Sequence, residues 1–351
     1  MLYQKKNPHG GSADKRIVLD FSANVNPLGP PESVVSAAAG ALLHMDRYPD
    51  PCCSELTKAI AGAEGLPESF VLCGNGASEL IYAFCRAEEP ETALIPVPAF
   101  SEYEQALRAC DANVSFFETL EEDGFTAGPG IIDAIKKERP DVLFLCSPSN
   151  PAGTLLEEST AKDILHACEA LGTRVLLDEC FIDLSDGASL ARLIEDHPCL
   201  MVLKAFTKSW GMAGLRLGYC LSSDPDLLAG ISDAIQPWNV SGPAQAAGTA
   251  ALKEQGYLEK TMELIREERS RLFKALDELG LRPVPSSANF ILFRGPSDLS
   301  ERLIPYGIAV RDCSNYRGLG PGWYRTAVRL AEENGRLINA LTDIIKGSTN
   351  G

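Results

Sequence analysis

The apolar positions of this chain follow two periods. Between residues 70 and 203, short unbroken runs of Val, Leu, Ile and Phe alternate with longer stretches in which apolar residues recur every three or four positions. The runs predict strands over 70–73, 93–95, 114–117, 142–146, 175–177 and 200–203. The stretches between them predict helices over 77–86, 102–110, 159–171 and 188–195. Strands that are apolar throughout, and not only on alternate positions, are buried on both faces, and their alternation with helices indicates an α/β fold around a mostly parallel sheet. Ligands of such sheets bind beyond the carboxyl ends of the strands. The polar clusters fall there, at residues 74–78, 98–100, 147–153, 178–181 and 207–216.

Outside that block the pattern changes. Residues 1–35 are polar, then rich in Pro and Gly, with little helix or strand character of their own. Leu19, Phe21, Val25 and Leu28 predict that this arm docks on other elements. A helix is expected over 32–44, followed by a proline-stiffened turn at 47–51. After Pro243 one long helical pattern runs to residue 279, and strands over 289–293, 308–311 and 324–328 precede a last helix over 332–345. Three parts are therefore expected: an N-terminal arm (1–35), a large domain (36–243) and a small C-terminal domain (244–351).

Composition narrows the function more than the fold. The chain has 351 residues, 45% apolar and 23% charged, with a net charge of −16. That sign argues against a nucleic-acid partner, which needs a basic face. A small anionic substrate remains compatible, because local arginines can override the global charge. No apolar run of membrane-spanning length and no signal peptide is evident, so a cytoplasmic protein without a membrane partner is expected. The eleven cysteines form no Cys-x-x-Cys pair and read as small buried hydrophobes of a reducing compartment. The four histidines are far apart in sequence, and no metal site is expected.

The densest chemistry lies in residues 204–218. Lys208 stands between Thr207 and Ser209, with glycines at 211, 214 and 218 and Arg216 nearby. The glycines allow close backbone approach, the hydroxyls and Arg216 suit a phosphate, and a buried lysine can form a Schiff base with a carbonyl. A lysine nucleophile beside a phosphate cradle suits pyridoxal 5'-phosphate. The other clusters complement it. Gly76, Ala77 and Ser78 open a helix and present free amides for a phosphate. Phe100 is placed to stack on a flat ring. Asn150 lies between prolines at a strand end, and Asp178 ends an apolar strand where a carboxylate can keep a pyridine nitrogen protonated. Alone, each of these also reads as an ordinary loop, cap or core residue.

In their order, the clusters resemble the fold type I pyridoxal-phosphate enzymes of the aminotransferase superfamily over nearly the whole chain. Asn-Pro-Leu-Gly at 26–29, Arg47-Tyr48-Pro49, Gly74-Asn75-Gly76, the 147–153 run, Asp178-Glu179 and the Lys208 stretch are similar to the histidinol-phosphate aminotransferase branch. The resemblance implies a large domain with a mostly parallel seven-stranded sheet, a small α/β domain and an arm. It also implies roles: Lys208 as the Schiff-base lysine, Asp178 as pyridinium partner, Asn150 as ring-oxygen partner and Phe100 as the stacking ring. Gly76, Ala77, Ser78, Thr207 and Arg216 would hold the phosphate, with Tyr48 from a neighbouring subunit, which implies a homodimer.

Both ends narrow this further. His9-Gly10-Gly11 before Asp20-Phe21-Ser22-Ala23-Asn24, and the late run from Arg311 to Gly320 followed by Arg325, are similar to the threonine-phosphate decarboxylases of cobalamin synthesis. That family implies a phosphorylated amino acid as substrate, with His9 and Arg311 on its phosphate and Arg325 on its carboxylate. Two cations suit a substrate with an anion at each end. Phe181 stands where many aminotransferases of the branch carry Tyr, which removes a hydroxyl donor and favours the decarboxylases. Ala152 replaces a usual Thr. The rival expectation is histidinol-phosphate transamination.

Overall fold

Each interior strand of the main sheet buries both of its faces. In the computed structural model, which describes residues 10–11 and 14–347, β1 (Leu19–Asp20) belongs to the N-terminal segment. The sheet itself contains β2 (Val71–Gly74), β3 (Thr92–Val97), β4 (Asn113–Glu118), β5 (Val142–Cys146), β6 (Arg174–Asp178), β7 (Leu200–Ala205) and β8 (Gly218–Leu221). Successive side chains enter opposite cores, as the pleat requires. Leu143, Leu145, Val175 and Val202 join one, with helices Ile131–Glu138 and Glu158–Glu169. Phe144, Leu176, Met201 and Leu203 join the other, with helices Ala77–Glu88 and Pro225–Ala234. Burial of each such side chain contributes about 1.5–3 kcal/mol.

The strand order is β2-β8-β7-β6-β5-β3-β4, parallel from β4 to β7, with β8 antiparallel to both neighbours. The chain returns from β7 to β8 through the short helix Phe206–Ser209 and a Gly-rich loop, with no crossover helix, so β8 must run antiparallel. Ala205 pairs with Gly218, which stands the whole connection, Lys208 included, on the carboxyl end of β7.

The C-terminal strands are β9 (Phe290–Arg294), β10 (Ile308–Ala309), β11 (Arg311–Asp312) and β12 (Trp323–Ala327). β11, β12 and β9 form an antiparallel sheet, while β10 pairs in parallel with β1. Helices Tyr257–Glu278 and Ala331–Gly347 share a core with this region through Leu272, Leu276, Leu337 and Leu341. Leu19 and Phe21 are buried in the same core. The Phe21 N–H donates to the Ala309 carbonyl and the Ala327 N–H to the Phe21 carbonyl, each at 2.8 Å.

The segment then clamps the Lys208 turn. The Asn26 N–H donates to the Lys208 carbonyl at 3.0 Å, and its carboxamide donates to the Ser209 carbonyl at 2.8 Å and to Thr261 Oγ1 at 3.0 Å. Gly211 lies against Gly29 so closely that a Cβ would come within 2.9 Å of its carbonyl carbon, and its φ of +65° is left-handed as well. Asn26 and Gly211 therefore fix where the lysine stands.

Some expectations are corrected. The long pattern after Pro243 is two helices, Gly242–Ala251 and Tyr257–Glu278, because Gly256 adopts a left-handed φ of +72° at the start of the second. The expected helix over 188–195 is only the 3-10 stretch Ala191–Glu195, since the Glu179 carboxylate accepts from Ser189 Oγ and the Leu190 N–H and holds the first turn open. The run 308–311 splits between two sheets at Val310. Helices Ser54–Glu64, Ile131–Glu138 and Pro225–Ala234 and strand β8 go beyond what the pattern predicts, being short or rich in small residues. No helix among the described residues is long and apolar enough to cross a membrane.

Asn26→Ala removes the side-chain donor to the buried Ser209 carbonyl and to Thr261 Oγ1. It is expected to lower unfolding stability by about 1–3 kcal/mol, checked by urea denaturation of the variant beside the parent chain.

Candidate active site

A cavity of about 230 Å³ opens at the carboxyl ends of β2, β5, β6 and β7. Ala77, Ser78, Phe100, Asn150, Asp178, Thr207, Lys208, Arg216 and Arg325 line it, brought there from stretches that span two-thirds of the chain. Tyr48 does not: it is exposed and its ring stacks on Trp238 at 4.5 Å. His9 lies outside the described residues, whereas Gly10 lines the cavity.

Asp178 is buried at the end of β6 and held from both sides. Tyr103 Oη donates to Oδ2 at 2.5 Å, and the Cys180 N–H donates to Oδ1 at 2.8 Å. Burial, then the Asp178 charge, pushes the Tyr103 hydroxyl well above its ordinary pKa, so it stays a donor. Burial and the same carboxylate likewise raise the Cys146 and Cys180 thiols. Asp178 is thus oriented by neutral neighbours.

Lys208 is the reverse case. Burial, reinforced by the positive charges of Arg325 and Arg216, pulls its amine down to about 8. Its Nζ lies 5.6 Å from the centroid of the Phe181 ring. An amine that loses its proton near neutrality is a nucleophile and a proton carrier.

The phosphate-sized end of the cavity is made by two loops. Helix Ala77–Glu88 begins with no side-chain cap, which leaves the first-turn amides at Ala77 and Ser78 for an anion, favoured there by the helix dipole. Gly76 has φ +81°, and a Cβ on it would come within 2.6 Å of the Arg216 guanidinium. Only glycine lets that cation lie over the loop. Thr207 adds a hydroxyl to the cavity lining.

The opposite wall is cationic. Arg325 is buried, its Nη1 donating to Asn150 Oδ1 and its Nη2 to the Ser22 carbonyl at 3.0 Å. Register places Arg311 of β11 directly opposite Arg325 of β12, so both stand on one face of the sheet. Arg311 does not line the cavity itself. Its guanidinium lies 5.4 Å from the centroid of the Tyr316 ring, and Tyr316 forms the wall. Beside them Asn24 is 1% exposed, and neither its amide nitrogen nor its oxygen has a hydrogen-bond partner among the described residues. Buried polar atoms are nearly always paired, and Asn24 lines the cavity with both ends of its amide available to a ligand.

Tyr103, Asn24 and Tyr316 are the site residues that sequence reasoning passed over. Tyr103 stands one helical turn after Phe100, a spacing that puts both on one side of helix Ser101–Arg108 and its entry. Asn24 and Tyr316 gave no such signal; both sit inside runs quoted above without a role of their own.

A lysine amine, a fixed carboxylate, a flat aromatic wall at Phe100 and an anion cradle fit the amine-reactive aldehyde, ring nitrogen, ring and phosphate of pyridoxal 5'-phosphate. The comparisons agree. Residues 16–341 match the family model "Aminotransferase class I and II". A threonine-phosphate decarboxylase of Salmonella typhimurium is 37% identical over 94% of this chain and 92% of its own length. Histidinol-phosphate aminotransferase 2 of Archaeoglobus fulgidus is 36% identical over 94% of each. The histidinol-phosphate aminotransferase structure from Clostridium acetobutylicum superposes with a TM-score of 0.88 at 28% identity, covering 94% of this chain and all of that one. The chain belongs to the class I and II aminotransferase family, enzymes that work with pyridoxal 5'-phosphate.

Proposed function

We propose that this enzyme decarboxylates L-threonine O-3-phosphate to (R)-1-amino-2-propanol O-2-phosphate, a step of cobalamin synthesis. One observation carries the reading. Two arginines stand directly opposite each other on one face of a sheet, Arg311 and Arg325. A sheet face that sets two cations across from each other is the electrostatic complement of a substrate carrying two anions. A substrate with a carboxylate and a phosphate supplies two. The Salmonella relative's identity over nearly the full length supports the same reading.

The cofactor would sit with its ring against Phe100, its nitrogen on Asp178, its ring oxygen on Asn150 and its phosphate at Gly76, Ala77, Ser78, Thr207 and Arg216. Once bound, it supplies an electron sink for the pair left at the substrate's Cα when a bond there breaks. Arg325 binds the carboxylate. Asn24, His9 and Arg311, whose guanidinium lies over the ring of the wall residue Tyr316, bind the substrate phosphate. Anchoring both ends fixes rotation about Cα, and that rotation selects which bond is broken. Lys208 Nζ then delivers the proton that replaces CO₂ at Cα. The phosphate is remote from the reacting bond, and its binding energy is used for orientation.

We further propose the division into an arm (1–35), a large domain (36–243) and a small domain (244–351), and a cytoplasmic homodimer in which Tyr48 of the partner subunit reaches the cofactor phosphate. Its exposure on this chain, beside Val35, Leu42, Leu43, Met45 and Trp238, supports that placement.

Holoenzyme given L-threonine O-3-phosphate is expected to release CO₂, and Arg325→Gln to lower kcat/KM by about 10²-fold, the effect of losing a buried charged contact. Amino transfer from histidinol phosphate to 2-oxoglutarate without CO₂ release from threonine phosphate would instead assign the transaminase activity. The Lys208 amine becomes neutral as pH rises through about 8, so cofactor uptake by the apoenzyme should accelerate with pH around that midpoint. Arg325→Gln removes a charge that disfavours the ammonium, and the midpoint should move up; stopped-flow absorbance reads both. Mixing inactive Lys208→Ala and Tyr48→Ala chains should restore roughly a quarter of wild-type activity if subunits exchange at random and share sites. Absence of recovery in a verified mixed dimer would sink the shared site.

A further inference from the structure

We infer that His166, Glu169 and His197 form a binding site for a borderline divalent cation of the Zn²⁺ or Co²⁺ class, away from the cofactor cavity. His166 and Glu169 stand three residues apart on one face of helix Glu158–Glu169. His197 comes from the turn between the 3-10 stretch Ala191–Glu195 and β7. In sequence the two histidines are too far apart to suggest a site. The fold brings their ring nitrogens and the Glu169 carboxylate within 4.8 Å of one another.

Three features make the cluster a ligand set and more than an ion pair. First, its geometry is nearly closed. His197 Nδ1 lies 2.9 Å from Glu169 Oε1, and the two imidazole rings are 5.1 Å apart at 66°. An ion about 2.0–2.2 Å from each donor holds tetrahedral donors roughly 3.3–3.6 Å apart, so the His197–Glu169 pair must open by about 0.5 Å and the wider pairs close by about 1 Å, within reach of rotations of the exposed His166 and Glu169 side chains. Second, the anchor is preset. His197 is buried, its N–H donates to the Leu193 carbonyl at 2.9 Å, and its carbonyl accepts from the Leu200 N–H at 3.0 Å. One ligand is fixed and two face solvent, which leaves an entry path. Third, the field suits a cation. His166 and Glu169 occupy the last turn of their helix, at the negative end of its dipole.

Two imidazoles and one carboxylate are the donors of three-ligand sites that leave a further position open, and nitrogen donors select against Mg²⁺ and Ca²⁺. Cys199 Sγ lies 3.9 Å from Glu169 Oε1, outside the three-donor set. The site lies where β7 begins, at Leu200, and Lys208 lies beyond the strand's other end. A bound ion would pin the end of helix Glu158–Glu169 to the entry of β7 without touching the reacting groups.

The test uses untagged holoenzyme, treated with chelator, desalted and titrated with Co²⁺ followed by visible d–d absorption, then with Zn²⁺ by calorimetry. One ion per chain is expected, with Zn²⁺ displacing Co²⁺ and excess Mg²⁺ displacing neither. His166→Gln and Glu169→Gln should each weaken binding at least about tenfold, with the metal-free Tm of both matching the parent. No saturable binding, or undiminished affinity in either variant, overturns the site.

Discussion

A guanidinium withdrawn from water needs acceptors, and Arg325 draws them from two remote stretches of the chain. Its own strand, β12, belongs to the C-terminal sheet. One of its nitrogens donates to Asn150, beyond β5 of the main sheet, and another to the carbonyl of Ser22 in the N-terminal segment. Truncating Asn150 would leave a buried charge short of an acceptor, whereas the Ser22 carbonyl belongs to the backbone. The two sheets and the segment are therefore tied at the cavity wall, and the cavity takes its shape from that tie.

The same economy of charge separates two lysines only four residues apart. Burial works against the charge of Lys204, but Tyr219, Asp183 and Glu64 outweigh it and hold the ammonium well above its ordinary pKa, with Glu64 at 2.8 Å. Burial also opposes the charge of Lys208, and there the neighbouring arginines add to the effect. One lysine is a permanent cation of the framework. The other is available to react. The polar layer below the cavity continues through Glu179, whose carboxyl burial pushes up to about 7 while Ser189 and the Leu190 amide hold it.

The sheet was legible because continuous apolar runs such as 142–146 have few other destinations than a strand covered on both faces, and polar residues at their ends mark the ligand side. β8 was not legible: four residues after a glycine-rich loop carry no period. The break at Gly256 was hidden by flanking sequence with good helix character. Within the site, Lys208, Asp178 and Asn150 could be placed at the cavity from motif order, since each lies at or just beyond the carboxyl end of a strand. Asn24 could not, because an unpaired buried amide is a property of packing, and Tyr103 needed the helix to bring its hydroxyl to Asp178. Tyr48 was legible only as part of a motif, and its surroundings in a single chain give it no cavity to line. The opposition of Arg311 and Arg325 is a matter of register, which no spacing of two residues fourteen apart announces.

The bond from Arg325 to Asn150 also settles a polarity. A carboxamide offers an acceptor at one end and a donor at the other, and only its surroundings decide which way it faces. Because the guanidinium and the Tyr316 hydroxyl both approach the Asn150 oxygen, the NH₂ end is the one left to turn elsewhere. The arginine that would read a substrate's carboxylate thereby dictates which end of the neighbouring amide is presented. A defect at one recognition point would be felt at the other, although the two share no atom.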